Sequence, residues 1–269
     1  MLHNFNATPY DGGFPNGVTI SAAGVLLGTT GTGGVNSTGV VFALIRPATP
    51  GATWTEHILY TFQTSTHRPV QKSGVVIGSG GVLYGTTVEG GSGYGSVFAL
   101  APPLSPGGAW TETTIYSFMV SDGESPNTGV IIGGGGVLYG TTNFGGGLNG
   151  GTVYSLTPPS SPGGAWVEQV LHEFPNVMGF TPNPGLLTLG ESGVLYGTTA
   201  GNGLSSGTVY ALTRPATTGG ARTELLLHTF TGTDGVAPTA LVIGSGGVLY
   251  GTTERGGLYG GGTVFQLNE

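Results

Sequence analysis

Residues Gly81 to Thr87, Gly-Val-Leu-Tyr-Gly-Thr-Thr, recur along the chain, and this repetition predicts the architecture. The copies begin roughly 55 residues apart, a period typical of β-propeller blades. The same seven residues stand at Gly136 to Thr142, Gly193 to Thr199 and Gly247 to Thr253, and Gly24 to Thr30 differs only at Leu27. Nearly the whole chain is therefore one unit written five times.

Each repeat contains four short runs of β-branched and aromatic residues bounded by Gly or Pro, the pattern of β-strands. In the second repeat the runs are Gly74 to Ile77, Val82 to Thr87, Ser96 to Leu100 and Trp110 to Phe118. Four antiparallel strands make one blade. We therefore predict an all-β, five-bladed β-propeller in a single domain, residues 1–269. The predicted blades are 17–62, 74–118, 129–174, 185–230 and 240–268, with the fourth strand of the last blade at 1–6.

The two ends of the chain match complementary parts of a blade. Leu2 to Phe5 resembles the ends of fourth strands such as Leu59 to Phe62, and Gly262 to Leu267 resembles a third strand. We therefore expect Leu2 to Phe5 to pair with Gly262 to Leu267, which would complete the last blade and cover its edge. Because the chain starts within a blade, we also expect it to be a piece of a longer protein.

Composition excludes several classes of partner. Charged residues make up 7% of the chain, and six Lys and Arg against thirteen Asp and Glu leave no basic surface for nucleic acid. No apolar run approaches the roughly 20 residues of a membrane-spanning helix, so we expect no membrane insertion. The absence of cysteine excludes disulfides and thiol catalysis.

The repeat resembles a known family. Its order is Val-Leu-Tyr-Gly-Thr-Thr-x-x-Gly-Gly, then Gly-Thr-Val-Phe or Gly-Thr-Val-Tyr, then Gly-Gly-Ala-Trp-Thr-Glu, then Leu-Tyr-x-Phe. This pattern is similar to the GloVer tandem repeat, and the similarity covers essentially the whole chain. The resemblance implies a bacterial protein that is secreted or displayed at the cell surface, and it carries no established activity, cofactor or catalytic residue.

The loops that join fourth to first strands and second to third strands lie on one face of a propeller, the usual ligand face. Asp11, Asp122 and Asp234 recur there, each followed by Gly and shortly by Pro. They are either Asx turns before a strand or ligands for a cation or substrate. The second-to-third loops add aromatic, amide and charged groups of the kind that bind sugars, or that simply face solvent. These candidates are Glu89, Tyr94, Asn143, Phe144, Asn149, Arg255 and Tyr259.

Two further sets of polar residues recur in the fourth strands. One is the glutamates, which on an outermost strand are expected to serve solubility and edge protection. The other is three histidines at a position where other blades have tyrosine, which are expected to share a packing role. We expect equivalent residues of different blades to stand far apart, so no metal site and no cofactor is predicted. The two sets are Glu56, Glu112, Glu168 and Glu224, and His3, His172 and His228.

Function is less determined than fold. A glycosidase needs two carboxylates roughly 5–10 Å apart, whereas three Asp at equivalent positions form the pattern of a turn. The sequence therefore favours a non-catalytic, monomeric binding module, with a glycan or a surface protein as its partner. A protein-interaction scaffold without a small ligand is the alternative, and a glycosidase-like hydrolase is the third.

Overall fold

The structure is a computed structural model that describes residues 1–49, 51–63, 74–105, 107–126, 128–161, 163–175, 187–201, 206–214 and 222–268. In these residues the regular structure is β, apart from four 3-10 turns of three residues each. The strands form five small antiparallel sheets, one for each repeat. The predicted all-β, five-bladed propeller class is thereby confirmed.

Two compact units make up the chain, and the first comprises residues 1–118 and 125–130. It contains two four-stranded sheets in which neighbours in sequence are neighbours in the sheet. The first sheet has β1 (Gly12–Ile20), β2 (Leu26–Gly33), β3 (Val40–Ile45) and β4 (Thr55–Thr61). The second has β5 (Val76–Ile77), β6 (Leu83–Thr87), β7 (Ser96–Ala101) and β8 (Thr111–Ser117).

The second unit comprises residues 119–124 and 131–269 and contains three sheets. The third sheet has β9 (Ile131–Ile132), β10 (Leu138–Thr141), β11 (Asn149–Thr157) and β12 (Val167–Pro175). The fourth has β13 (Thr188–Leu189), β14 (Leu195–Ala200), β15 (Gly207–Thr213) and β16 (Thr223–Thr229). The fifth has β17 (Val236–Ile243), β18 (Leu249–Arg255) and β19 (Val264–Leu267).

Among the described residues, the fifth sheet has three strands. Leu2 to Phe5 forms no strand, and the sheet ends at β19. Val264 of β19 is 81% exposed, whereas its counterparts in the other four sheets are fully buried. The segment is instead held by its side chains, because the Phe5 ring packs 4.9 Å from the ring of Phe42 in β3. Leu2 to Phe5 belongs to the first unit and the fifth sheet to the second, so the expected pairing of Leu2 to Phe5 with Gly262 to Leu267 stays a prediction.

The glycine of Leu-Tyr-Gly-Thr-Thr is required by an aromatic ring on the neighbouring strand. Gly85 of β6 pairs with Phe98 of β7, and a Cβ at Gly85 would stand 2.6 Å from Cζ of that ring. Only a residue without a side chain leaves room for the ring. The same contact recurs between Gly28 and Phe42, Gly140 and Tyr154, Gly197 and Tyr210, and Gly251 and Phe265.

The threonines of the motif bond to the neighbouring strand and to the segment that follows the sheet. Thr87 Oγ1 lies 2.7 Å from Ser96 Oγ on the next strand of the same sheet. Thr86 Oγ1 donates to the carbonyl of Thr128 at 2.8 Å. Both threonines are buried, so these bonds satisfy hydroxyls that would otherwise be desolvated.

Aromatic contacts connect consecutive sheets within each unit. The last aromatic residue of one sheet packs on the third-strand aromatic residue of the next with near-perpendicular rings, the favoured geometry for such pairs. The pairs are Phe62 and Phe98 at 5.4 Å, Phe174 and Tyr210 at 5.3 Å, and Phe230 and Phe265 at 5.0 Å.

Candidate functional site

Two of the three recurring aspartates close turns. Asp122 Oδ1 accepts the backbone N–H of Met119 at 2.8 Å. Asp234 Oδ1 accepts the backbone N–H of Thr231 at 2.8 Å and the Thr231 hydroxyl at 3.0 Å. In both, the side chain bonds the backbone three residues earlier. This geometry favours the turn interpretation of Asp122 and Asp234.

Asp11 is more deeply buried than the other two aspartates. Its Oδ2 accepts the backbone N–H of Asn6 at 2.8 Å, and its Oδ1 accepts the N–H of Gly12 at 2.7 Å. His3 Nε2 lies 3.3 Å from the same Oδ1. The residue is 5% exposed, so its carboxylate is held in place on several sides.

The two kinds of predicted loop meet each other, as the propeller interpretation requires. In the second unit, Glu124 donates its N–H to the carbonyl of Phe144 at 2.7 Å, and Phe144 donates back at 3.1 Å. In the first unit, Ser125 donates its N–H to the carbonyl of Tyr94 at 2.8 Å. The loop before one first strand is therefore fastened to a second-to-third loop.

The candidate residues of the second-to-third loops are largely accessible. Tyr259 is 95% exposed, and Asn143 is the half-buried member of the set. The exposed members are Glu89, Tyr94, Phe144, Asn149, Arg255 and Tyr259. Asn202 and Leu204, on the corresponding loop of the fourth repeat, lie outside the described residues. So do residues 66–69 and 178–182, which stand where the other repeats have Asp-Gly.

A cleft beside the first sheet was not anticipated from the sequence. It has a volume of about 570 Å³ and is lined by Phe14, Pro15, Asn16, Gly31 and Thr32. Phe14 is 77% exposed and has a φ of 55°, a left-handed conformation that few non-glycine residues adopt. In the sequence, the only sign that Phe14 belongs to the candidate face is its position three residues after Asp11. An aromatic ring and an amide thus lie at one surface.

The structure also groups residues that the sequence analysis had separated. His3 Nε2 lies 3.3 Å from Asp11 Oδ1 and 3.6 Å from Glu56 Oε2, and the three ligand atoms lie within 4.8 Å of one another. We call these three residues the His3 cluster. The expectation that Glu56 serves solubility is wrong, because its side chain is only 10% exposed. Glu56 lies in the fourth strand of the first sheet, and the segment that carries His3 covers it.

Two of the recurring glutamates have strongly perturbed acidity. Burial and the nearby Asp11 carboxylate raise the pKa of Glu56 to about 7, although His3 opposes the shift. Burial and the nearby Asp122 carboxylate likewise raise the pKa of Glu168 to about 7. Two carboxylates in a partly buried site resist simultaneous ionisation. Near neutral pH each of these glutamates is therefore close to half protonated.

The other two histidines have simpler surroundings. His228 Nε2 lies 2.9 Å from Asp234 Oδ2. His172 Nε2 lies 3.6 Å from Glu224 Oε2, and burial lowers the pKa of His172 although Glu224 and Glu173 oppose the shift. In the described part of the chain, the three-residue grouping of His3, Asp11 and Glu56 is the one set of His, Asp and Glu with the spacing of a metal site.

Arg222 replaces the tryptophan that begins the fourth strand in three other repeats. It is buried, and its Nη1 donates to the carbonyls of Gly193 at 2.8 Å and Leu212 at 3.1 Å. Its guanidinium carbon also lies 5.6 Å from the centre of the Tyr139 ring. Arg222 thus stands at the tryptophan position, and its guanidinium group contacts two carbonyls and an aromatic ring.

Among the described residues, no helix combines the length and apolar character needed to cross a bilayer. Neither a protein-family model nor a curated protein sequence matches the chain. A solved structure does: the chain is similar to a protein of unknown function from Dyadobacter fermentans, with a TM-score of 0.58. The two are 12% identical, and the similarity covers 99% of this chain and 81% of the other. At this identity the similarity supports the fold alone.

Proposed function

We propose that this chain is a non-catalytic binding module of a secreted or surface protein and that its ligand is a glycan. The cleft beside the first sheet is the observation that carries the proposal. A sugar is recognised by an aromatic ring against its C–H face and by polar groups at its hydroxyls. Phe14 supplies such a ring, and Asn16 supplies an amide in the same cleft.

Exposed aromatic rings on other loops support the same proposal. Tyr94, Phe144 and Tyr259 each stand on the second-to-third connection of their own sheet, and all three are exposed. The backbone beneath Tyr94 and Phe144 is fixed by bonds to the neighbouring loop. A rigidly mounted ring loses little conformational entropy when a ligand stacks on it, which favours binding.

The carboxylates support binding rather than hydrolysis. Glycoside hydrolysis needs an acid and a second carboxylate that both reach the sugar. Asp11 and Glu56 form a close pair, but their side chains are 7% and 10% exposed, which leaves no room for a sugar ring between them. Asp122 and Asp234 accept backbone hydrogen bonds within their own turns. We therefore assign no catalytic role to these residues.

A glycan array probed with the purified chain tests the proposal, followed by titration of any bound sugar. Phe14→Ala should weaken binding by about two- to tenfold, as expected for a stacking contact of about 0.5–1.5 kcal/mol. Leu104→Ala is the matched control, because Leu104 is fully exposed on a third-to-fourth connection away from the cleft. A sugar that binds the Phe14→Ala variant as tightly as the wild type would place the site elsewhere.

A second candidate is a protein-interaction scaffold, and the edge of β19 favours it. Val264 is 81% exposed on a strand whose outer edge forms no ladder among the described residues. An exposed strand edge can accept a further strand from a partner. Co-purification of a protein that is lost when Val264 is replaced by Lys, together with an empty glycan array, would favour the scaffold over the glycan module.

A further inference from the structure

We propose that His3, Asp11 and Glu56 form a structural site for a divalent metal ion of the zinc class, which ties the N-terminal segment to the first sheet. His3 Nε2, Asp11 Oδ1 and Glu56 Oε2 are the ligand atoms. A water molecule would complete a tetrahedral set. One imidazole and two carboxylates are ligands that Zn²⁺ accepts.

The spacing of the ligand atoms fits this geometry. Ligands about 2.0–2.1 Å from a tetrahedral Zn²⁺ stand roughly 3.3–3.4 Å from each other. The distances from His3 Nε2 are 3.3 Å to Asp11 Oδ1 and 3.6 Å to Glu56 Oε2. Two of the three ligand–ligand distances therefore fit a tetrahedral site, and all three lie within 4.8 Å. The six oxygen ligands that Mg²⁺ prefers are not assembled by this cluster.

A buried oxygen without a partner is an independent sign of a missing ligand. Glu56 Oε1 is fully buried and accepts no hydrogen bond, and the whole side chain is about nine-tenths buried. A buried carboxylate oxygen with no partner is costly, because it loses its contacts with water. A divalent cation beside it would compensate the charge of both carboxylates.

Asp11 is oriented before any ion arrives. Its two oxygens accept N–H groups of Asn6 and Gly12, at 2.8 and 2.7 Å. Hydrogen bonds from surrounding groups hold metal-binding carboxylates in their binding orientation and raise metal affinity.

Among the described residues, the complete ligand set occurs once. The position of His3 is taken by Tyr60 and Tyr116 in the next two repeats, which removes the imidazole. His172 restores it, but no Asp-Gly pair lies between His172 and the start of the next repeat, and His228 pairs with Asp234 without a third ligand among the described residues.

Isothermal titration of untagged, metal-free protein with Zn²⁺ at neutral pH tests the proposal. We expect one saturable site per chain, a rise in melting temperature with excess Zn²⁺, and loss of both on adding a chelator. His3→Gln and Glu56→Gln should each weaken binding by at least about tenfold, the minimum effect of disturbing a metal site.

His228→Gln is the matched control, because His228 also pairs with an aspartate but has no third ligand within reach among the described residues. This variant should bind Zn²⁺ as the wild type does. A second measurement does not depend on the variants: Co²⁺ bound to the wild type should show the intense visible absorption of a tetrahedral complex, and added Zn²⁺ should abolish it.

Three results would overturn the proposal. The first is no saturable Zn²⁺ binding to the wild type, which would leave a proton shared by Asp11 and Glu56 as the occupant. The second is unchanged affinity in folded His3→Gln and Glu56→Gln. The third is an equal loss of affinity in His228→Gln. If the first two variants do not fold, absence of the Co²⁺ spectrum in the wild type decides against the site.

Discussion

Gly85→Ala should destabilise the protein because the added methyl group has no space. Its Cβ would stand 2.6 Å from Cζ and 2.8 Å from Cε1 of Phe98, and 3.4 Å from Val75 Cγ1. Real carbon atoms pack at about 3.5–4.0 Å. The Phe98 ring is 1% exposed and packs edge-on against Phe62, so it has little freedom to retreat.

The expected loss of stability is about 1–3 kcal/mol, the usual cost of an extra methyl group in a well-packed core. Gly85 has no positive φ, so backbone strain does not contribute and the cost is steric. Gly134→Ala is the matched control, because nothing lies within 4 Å of its Cβ and its φ is also not positive. There the substitution should be neutral or stabilise slightly, since alanine restricts the unfolded chain.

Urea unfolding followed by circular dichroism measures both variants. A double-mutant cycle with Phe98→Leu adds a direct test of the contact, because shortening the ring should reduce the cost of Gly85→Ala by about 1 kcal/mol or more. A free energy of unfolding for Gly85→Ala within about 0.5 kcal/mol of the wild-type value, the range of an ordinary surface substitution, would contradict the steric clash.

Three further predictions concern polar groups. The pKa of Glu168 is raised in the folded protein, so its contribution to stability is present below about pH 4.5 and is lost as the pH rises through 7. Glu168→Gln should therefore raise the melting temperature at pH 8 and change it little at pH 5. Asp122→Asn should have the same melting temperature as the wild type, with or without a chelator, because an amide oxygen still accepts the Met119 N–H. Asp122→Ala should lose about 1 kcal/mol of unfolding free energy in urea. Arg222→Ala should cost about 1–3 kcal/mol in the same assay, because the buried carbonyl of Leu212 loses a donor. An unchanged midpoint would contradict that role.

The repeat made the class of the fold predictable. Five copies of Gly-Val-Leu-Tyr-Gly-Thr-Thr, each within four strand-like runs, correspond to five antiparallel sheets. Strand order within each sheet also follows from the sequence, since short connections join neighbours. The turn role of Asp122 and Asp234 was one of two interpretations left open, and their hydrogen bonds favour it.

Side-chain neighbours far apart in sequence were not predictable in this way. The motif showed that Gly85 recurs, but only packing identifies Phe98 as the ring that requires it. The position of Glu56 on an outer strand predicted an exposed side chain. The segment that carries His3, about 50 residues earlier, covers it instead, and only the packing of that segment on the first sheet shows this.

Local pattern therefore determined the elements of this protein, because strand propensity, alternation and turn chemistry act over a few residues. The tertiary structure decided which groups share a buried space: it brought His3, Asp11 and Glu56 together, opened a cleft beside Phe14, and left Val264 exposed at the edge of the fifth sheet. Burial and electrostatic coupling depend on distances between side chains in space, and a repeated sequence motif does not give those distances.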